Sequence, residues 1–289
     1  MVVALALAAA AFYGAADFCG GLASRRRSAL AVVVWSQAIG LGVLLPAVLV
    51  VPGVPRASDL GWGLACGVTG AFAIALLYRG LALGVMGVVS PITAVLAAAI
   101  PVVVAVILGE RPAPLALIGI GCALVAVVLV SAATPAPDAS EAPLARDPRR
   151  GRLPPGLAEA LGSGTAFGFF FIALARTHAD AGLWPLLATR VVSLAILIAG
   201  GLALRRSLRI ARPGFRTVAA AGALDMGANV LYVLASHAGP LSIAAVVTSL
   251  YPAGTVALAA AVLHERLIRV QWAGVAIALA GVGCIALGR

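Results

Sequence analysis

The chain has 289 residues and a formal net charge of +10, yet only 10% of its residues are charged while 63% are apolar, and its mean hydropathy is +1.11. Soluble domains run near half apolar and a quarter charged, which excludes a soluble globular protein and, with it, a nucleic-acid surface as the meaning of the positive charge. The basic residues are all arginines, and nearly all of them stand in short stretches between apolar runs, where basic residues set orientation in a bilayer.

Apolar runs of this length can cross about 30 Å of hydrocarbon as helices, and continuous rather than alternating hydrophobicity selects helices over a barrel. The first run, residues 2–23, is followed rather than preceded by basic residues (Arg25-Arg26-Arg27), so it is expected to be a retained span and not a signal peptide. Asp17 stands about two turns before the arginines, near Tyr13 and Gly14. Spans follow at 29–51, 59–78, 83–108 and 112–133. Trp35 and Gln37 lie early in the second, and Tyr78 closes the third. In the fourth, Pro91 and Pro101 each remove a backbone hydrogen bond, with Ser90 and Thr93 beside Pro91. Helices interrupted in this way often line the midplane site of a transporter; a packing kink is the alternative.

Residues 134–155 are rich in proline and charge and almost free of large apolar side chains, which predicts a flexible linker. Five more spans then follow, at 156–175, 182–204, 216–237, 239–263 and 269–288. Arg190 lies about a third of the way into span seven. Asp225, Asn229 and Tyr232 share one face of span eight at i, i+4 and i+7. Pro252 stands in span nine with Thr248 and Tyr251 close by.

The two sets answer each other. Leu108-Gly109-Glu110-Arg111 returns 155 residues later as Leu263-His264-Glu265-Arg266, and each Glu is followed nine residues on by a glycine, Gly119 or Gly274. Leu77-Tyr78 matches Leu231-Tyr232, and Gly84 matches Gly239, at nearly the same shift. This spacing predicts an all-α integral membrane fold: ten transmembrane helices as two five-helix repeats, 1–133 and 156–289. An odd number of spans per copy turns the second copy over, the plan of transporters that rock one repeat against the other about a central site. The loops after spans one, three, five, seven and nine hold fifteen arginines against four in the remaining loops and C-terminus. That bias predicts a cytoplasmic position for those loops and an extracytoplasmic one for both termini.

A charge inside a span costs about 2.5–3.5 kcal/mol, so Asp17, Arg190 and Asp225 are expected to face a cavity or a partner. The polar face of span eight has no counterpart in the first copy, where Ala71 and Ala75 hold the places of Asp225 and Asn229. A shared scaffold does not explain such a difference, which points to substrate or proton binding, with interhelical bonding as the alternative. Candidate substrate residues are Asp225, Asn229, Tyr232, Arg190, Tyr78, Trp35, Gln37, Ser90, Thr93, Thr248 and Tyr251. Asp225 and Asp17 are the proton-coupling candidates. For Arg190 the competing reading is an ion pair with Asp17 or Asp225; for Trp35 it is interfacial anchoring. Pro91, Pro101 and Pro252, with Glu110 and Glu265 at helix ends, are candidates for helix breaking and gating, although pairing with nearby arginine explains the glutamates equally. The four cysteines lie far apart without CxxC spacing, and the three histidines, His178, His237 and His264, share no metal-ligand spacing. No GxSxG or HExxH pattern occurs, so no enzyme, cofactor or metal is expected.

In its doubled five-span unit, and in the segments Pro101 to Gly119 and Pro252 to Gly274, the chain resembles the drug/metabolite transporter superfamily, specifically its ten-span EamA-type members. In that family a proline stands thirteen residues before the Glu, as Pro252 does before Glu265; in the first copy Ala97 holds that place. Arg190, within Ala188-Thr189-Arg190-Val191, looks like the arginine often seen early in the family's second helix, and Gln37 stands near the corresponding place in the first copy. The resemblance implies a plasma-membrane exporter or exchanger of amino acids, related metabolites or drugs, acting by alternating access without ATP hydrolysis. Its implied partners are the lipid bilayer and a small-molecule substrate, with no nucleic acid, in a monomer or homodimer. The alternative is a non-transporting membrane scaffold or sensor, in which Asp225, Asn229 and Arg190 would bond to one another with no cavity between the halves.

Overall fold

The computed structural model describes residues 1–107, 154–174, 176–210, 214–238, 248, 251–263 and 269–287, with scattered residues between 113 and 129. The regular structure among them is helical: α1 (Val2–Arg26), α2 (Ala29–Val50), α3 (Ala57–Leu83), α4 (Met86–Ile107), α5 (Leu157–Leu174), α6 (Trp184–Ala203), α7 (Phe215–His237), α8 (Tyr251–Leu263) and α9 (Arg269–Leu287). A short 3-10 turn, Ala179–Ala181, precedes α6. Most of these bounds fall within a few residues of the expected spans, although α1 takes in Arg25 and Arg26 and α3 runs past Arg79 to Leu83. Most of the fifth span, residues 134–153 of the expected linker, and both Glu110 and Glu265 lie outside the described residues.

Among the described residues six helices, α1–α3 and α5–α7, are long and apolar enough to cross a membrane. Their outward faces carry large apolar side chains such as Leu49, Phe72, Phe169 and Leu202, all more than half exposed. On a soluble protein such a belt would be an association surface; lipid is the surrounding it suits.

Lipid gives no hydrophobic drive between helices, so association rests on close packing and interhelical hydrogen bonds, which small residues permit. Helix α3 lays Gly63 and Gly67 on α6, where a Cβ at Gly63 would come 2.6 Å from the Pro185 carbonyl oxygen and one at Gly67 2.6 Å from Val192 Cβ. Helix α7 sets Gly222 against the backbone of Ser36 on α2. Hydroxyls cross the same seams: Ser163 of α5 donates to the Ala73 carbonyl of α3 at 2.8 Å, and Thr189 of α6 to that of Gly63 at 2.9 Å.

The helix ends gather at two poles. At one, Arg25 donates to the carbonyls of Leu81 (3.4 Å) and Gly84 (3.3 Å), Arg79 pairs with Glu159 at 3.2 Å, and the Trp35 indole donates to the Leu208 carbonyl at 2.8 Å. This arginine pole therefore joins the ends of α1 and α3 to the starts of α2, α4, α5 and α7. At the other, the α2–α3 loop meets the α5–α6 loop. There Val54 N–H donates to the Asp180 carbonyl at 2.8 Å, and Arg56 pairs with the Asp180 carboxylate at 2.9 Å. Asp59, its side chain wholly buried, accepts from the backbone N–H groups of His178 (2.8 Å) and Arg56 (2.9 Å) and lies 2.8 Å from the His178 ring Nδ1. Neither Asp59 nor the tie of His178 to it is anticipated by the sequence.

Candidate functional site

Five helices bring side chains to one small cavity near the middle of the molecule. Helix α2 supplies Gln37, α3 Gly70 and Ile74, α5 Phe167 and Phe170, α6 Leu186, Thr189, Arg190 and Ser193, and α7 Asp225, Met226 and Asn229. At 1.5 Å per residue, Gln37 and Asp225 lie about 12–15 Å from the arginine pole and Arg190 about 9 Å from the His178 pole. The site is thus well inside the apolar belt. Its free volume is about 40 Å³, room for a few waters and far below the roughly 300 Å³ of the smaller ligand pockets.

Arg190 organises the polar wall. Its Nη2 donates to Asp225 Oδ2 at 2.8 Å, and its Nη1 donates to the Gln37 side-chain oxygen. Ser193, one turn further along α6, reaches the same Gln37 oxygen at 3.5 Å, and Asn229 donates to the Asp225 carbonyl at 2.7 Å. The Arg190 and Asp225 side chains are only 7% and 18% exposed. At that depth each charge makes the other tolerable, and removal of either leaves an uncompensated buried ion. The guanidinium fork bridges two helices, with one prong on α7 and one on α2, a geometry that an ammonium could not reproduce. Of the pairings open to Arg190 in the sequence, the structure has Asp225. Arg190 is bonded to the Asp225 carboxylate and Asn229 to the Asp225 main chain, and all three residues also line the cavity.

Other residues singled out in the sequence lie elsewhere. Tyr232 is buried beside Phe171, ring centroids 6.1 Å apart. Tyr78 is 1% exposed and packs its ring against Gly20, outside the cavity wall. Trp35 is 39% exposed at the arginine pole, edge-on to Phe215 at 5.7 Å, in keeping with an anchoring role. Ser90 and Thr93 are fully buried in α4, bonded at 3.4 Å to Thr255 and to the Ala160 carbonyl respectively. Thr248 reaches the Ala6 carbonyl at 3.5 Å, and the Tyr251 ring lies 6.0 Å from that of Tyr13. Helix α4 runs through Pro91 and Pro101 without interruption, and Pro252 stands beside Tyr251 in α8. Asp17 is buried in α1, away from the Arg190 cluster's bonds.

Sequence reasoning passed over Phe167, Phe170, Thr189 and Ser193. Ser193 stands at i+3 from Arg190 and so on its face of α6, a signal that was available. The two phenylalanines belong to an aromatic cluster with Phe171, in which Phe170 and Phe171 meet edge-on at 5.3 Å. Only the fold shows that this cluster walls the cavity.

The pattern of the EamA-like transporter family matches residues 1–132 and again residues 154–287. No curated relative matches the chain. A solved structure described only as "Crystal structure of protein" is similar over 97% of this chain and 96% of its own, with a TM-score of 0.61 at 16% identity, a likeness of fold alone. The family's members are membrane transporters of small molecules rather than enzymes. Two family matches that together span nearly the whole length, on a helical scaffold built for lipid, place this multi-pass membrane protein in the EamA-like transporter family.

Proposed function

We propose that the chain is a secondary exporter of small metabolites in the plasma membrane, working by alternating access around the Arg190–Asp225–Gln37 cavity. The observation that carries this reading is a buried ion pair, mid-depth in the bilayer, tied to Gln37 of the other half and facing free space. A scaffold has no use for the cavity. For a carrier, the guanidinium and the carboxylate are fixed charges that a cargo can engage by exchanging its own charged groups for theirs. Gln37 and Asn229 then orient the cargo, and Phe167 and Phe170 form the apolar wall. At about 40 Å³ the cavity is the closed state of the cycle, and cargo entry requires the helices around it to part.

Helix directions support two inverted five-helix repeats, 1–133 and 156–289, joined by a flexible linker, 134–155. At the arginine pole α1 ends and α5 begins, and α3 ends while α7 begins, so corresponding helices of the two sets run oppositely. Gln37 and Arg190, which stand near corresponding places in the two copies, meet at the centre. The arginine pole is the cytoplasmic one on this reading, with both termini outside. Tyr78, Trp35, Ser90, Thr93, Thr248 and Tyr251 serve helix packing around the site.

Counterflow in proteoliposomes, across a panel of amino acids, other small metabolites and cationic drugs, tests the proposal; everted vesicles then give the direction. Folded protein that moves none of the panel would overturn it.

A further inference from the structure

Asp17 poses a problem that the cargo cavity does not solve. It is 6% exposed, and among the described residues its Oδ2 has no hydrogen-bond partner and no ion pair involves it. The Arg190 charge is already committed to Asp225. Around Asp17 stand Ser90 of α4, beside the carboxyl, and the ionisable groups of Asp225 on α7, Tyr251 on α8 and Tyr78 on α3. Helices α2 and α4 contain no charged residue at all. Among the described residues, every ionisable neighbour is therefore neutral or negative, and none is a cation.

An ionised carboxylate here would be a buried charge without a counter-ion, at a penalty of several kcal/mol. An unpaired neutral hydroxyl costs about 1–3 kcal/mol. The smaller penalty wins, so the carboxyl needs a bound cation to be neutral in the closed protein. A metal ion would require a shell of free oxygen ligands. The nearby hydroxyls are instead engaged with one another: Ser90 bonds Thr255 at 3.4 Å, and Thr255 bonds the Gly14 carbonyl of α1 at 3.2 Å. Gly14 itself is so close to α8 that a Cβ there would lie 2.7 Å from the Tyr251 carbonyl oxygen. A proton needs no such space.

We propose that Asp17 is a proton-binding site separate from the cargo cavity, taking up one proton from water and returning it to water as α1 parts from α4 and α8. Proton binding stands on the geometry of Asp17 alone; its place in a transport cycle rests on the carrier reading above.

Infrared difference spectra of the purified protein in lipid, between acidic and alkaline buffer, test the site without any cargo. A protonated-carboxyl band should titrate in the wild type, persist in Asp225→Asn, shift in Asp17→Glu and vanish in Asp17→Asn. The Asn side chain is nearly isosteric with the protonated acid, so this variant should elute as folded protein. A band unchanged in Asp17→Asn would overturn the proposal, and so would a band abolished by sodium at fixed pH, which would make the ligand a metal ion. In proteoliposomes, accumulation driven by a pH gradient should fall to the level of empty vesicles in Asp17→Asn; full accumulation would refute coupling. A titrating Asp17 band in protein that transports nothing would sink the carrier reading and leave the proton site standing.

Discussion

The Arg190–Asp225 pair separates a cargo site from helix glue through a double-variant cycle. Arg190→Met leaves Asp225 at 18% exposure without the guanidinium 2.8 Å away, and Asp225→Leu leaves Arg190 at 7% exposure with only Gln37. Breaking a buried pair from one side costs about 3–5 kcal/mol, a large part of a total stability of about 5–15 kcal/mol. Each single variant should therefore unfold well below the wild type on heating. The double variant carries no buried charge, and apolar replacement of such a pair is commonly neutral or better. Its residual loss is one donor to Gln37, about 1 kcal/mol. Thermal unfolding of the four purified proteins, followed by size exclusion, should thus show a double variant close to the wild type and more stable than either single. Counterflow on the same preparations gives the functional arm: the restored double variant should be silent. Wild-type transport by the double variant would refute the cargo role, and a double variant as unstable as the singles would refute the energetic coupling inferred from the 2.8 Å contact.

Three further outcomes are expected. Gly222→Ala drives a methyl into the Ser36 backbone, 2.8 Å from its Cα, whereas Gly42→Ala meets nothing within 4 Å; the first should lower thermal stability by about 1–3 kcal/mol and the second leave it unchanged or raise it slightly. Asp59→Ala strands the His178 and Arg56 backbone N–H groups and should cost about 2 kcal/mol or more by the same measurement. Arg56→Ala, by contrast, breaks a bridge whose partners are 52% and 57% exposed, for a loss under about 1 kcal/mol. In a cysteine-free background, Ser28→Cys and Ser58→Cys should react with an impermeant maleimide from opposite faces of the membrane; labelling of both from one face would remove the two-pole topology.

The helices were largely legible because in lipid a span is declared by its own composition: α2 at Ala29–Val50 and α6 at Trp184–Ala203 barely differ from the apolar runs that predict them. The polar face of α7 was legible for the same reason, since a carboxylate inside such a run needs an explanation. Which partner Arg190 would choose was not. Asp17 and Asp225 are equally acidic on paper, and the choice depends on how α6, α7 and α2 cross, with Gly222 of α7 lying against the Ser36 backbone of α2. Tyr78 and Tyr232 match in sequence yet sit in different surroundings, Tyr78 against Gly20 and Tyr232 beside Phe171, which the match itself does not reveal. The phenylalanine wall was hidden because aromatic residues in an apolar run carry no periodic signal of what they face.

The seams at Gly63 and Gly222 have a mechanical consequence. Helices that interlock large side chains must climb out of one set of notches before they settle in the next. Backbone laid against backbone has low corrugation, so neighbouring tilts differ little in energy and the surfaces act as bearings. The same glycines that let the helices touch leave them little to catch on.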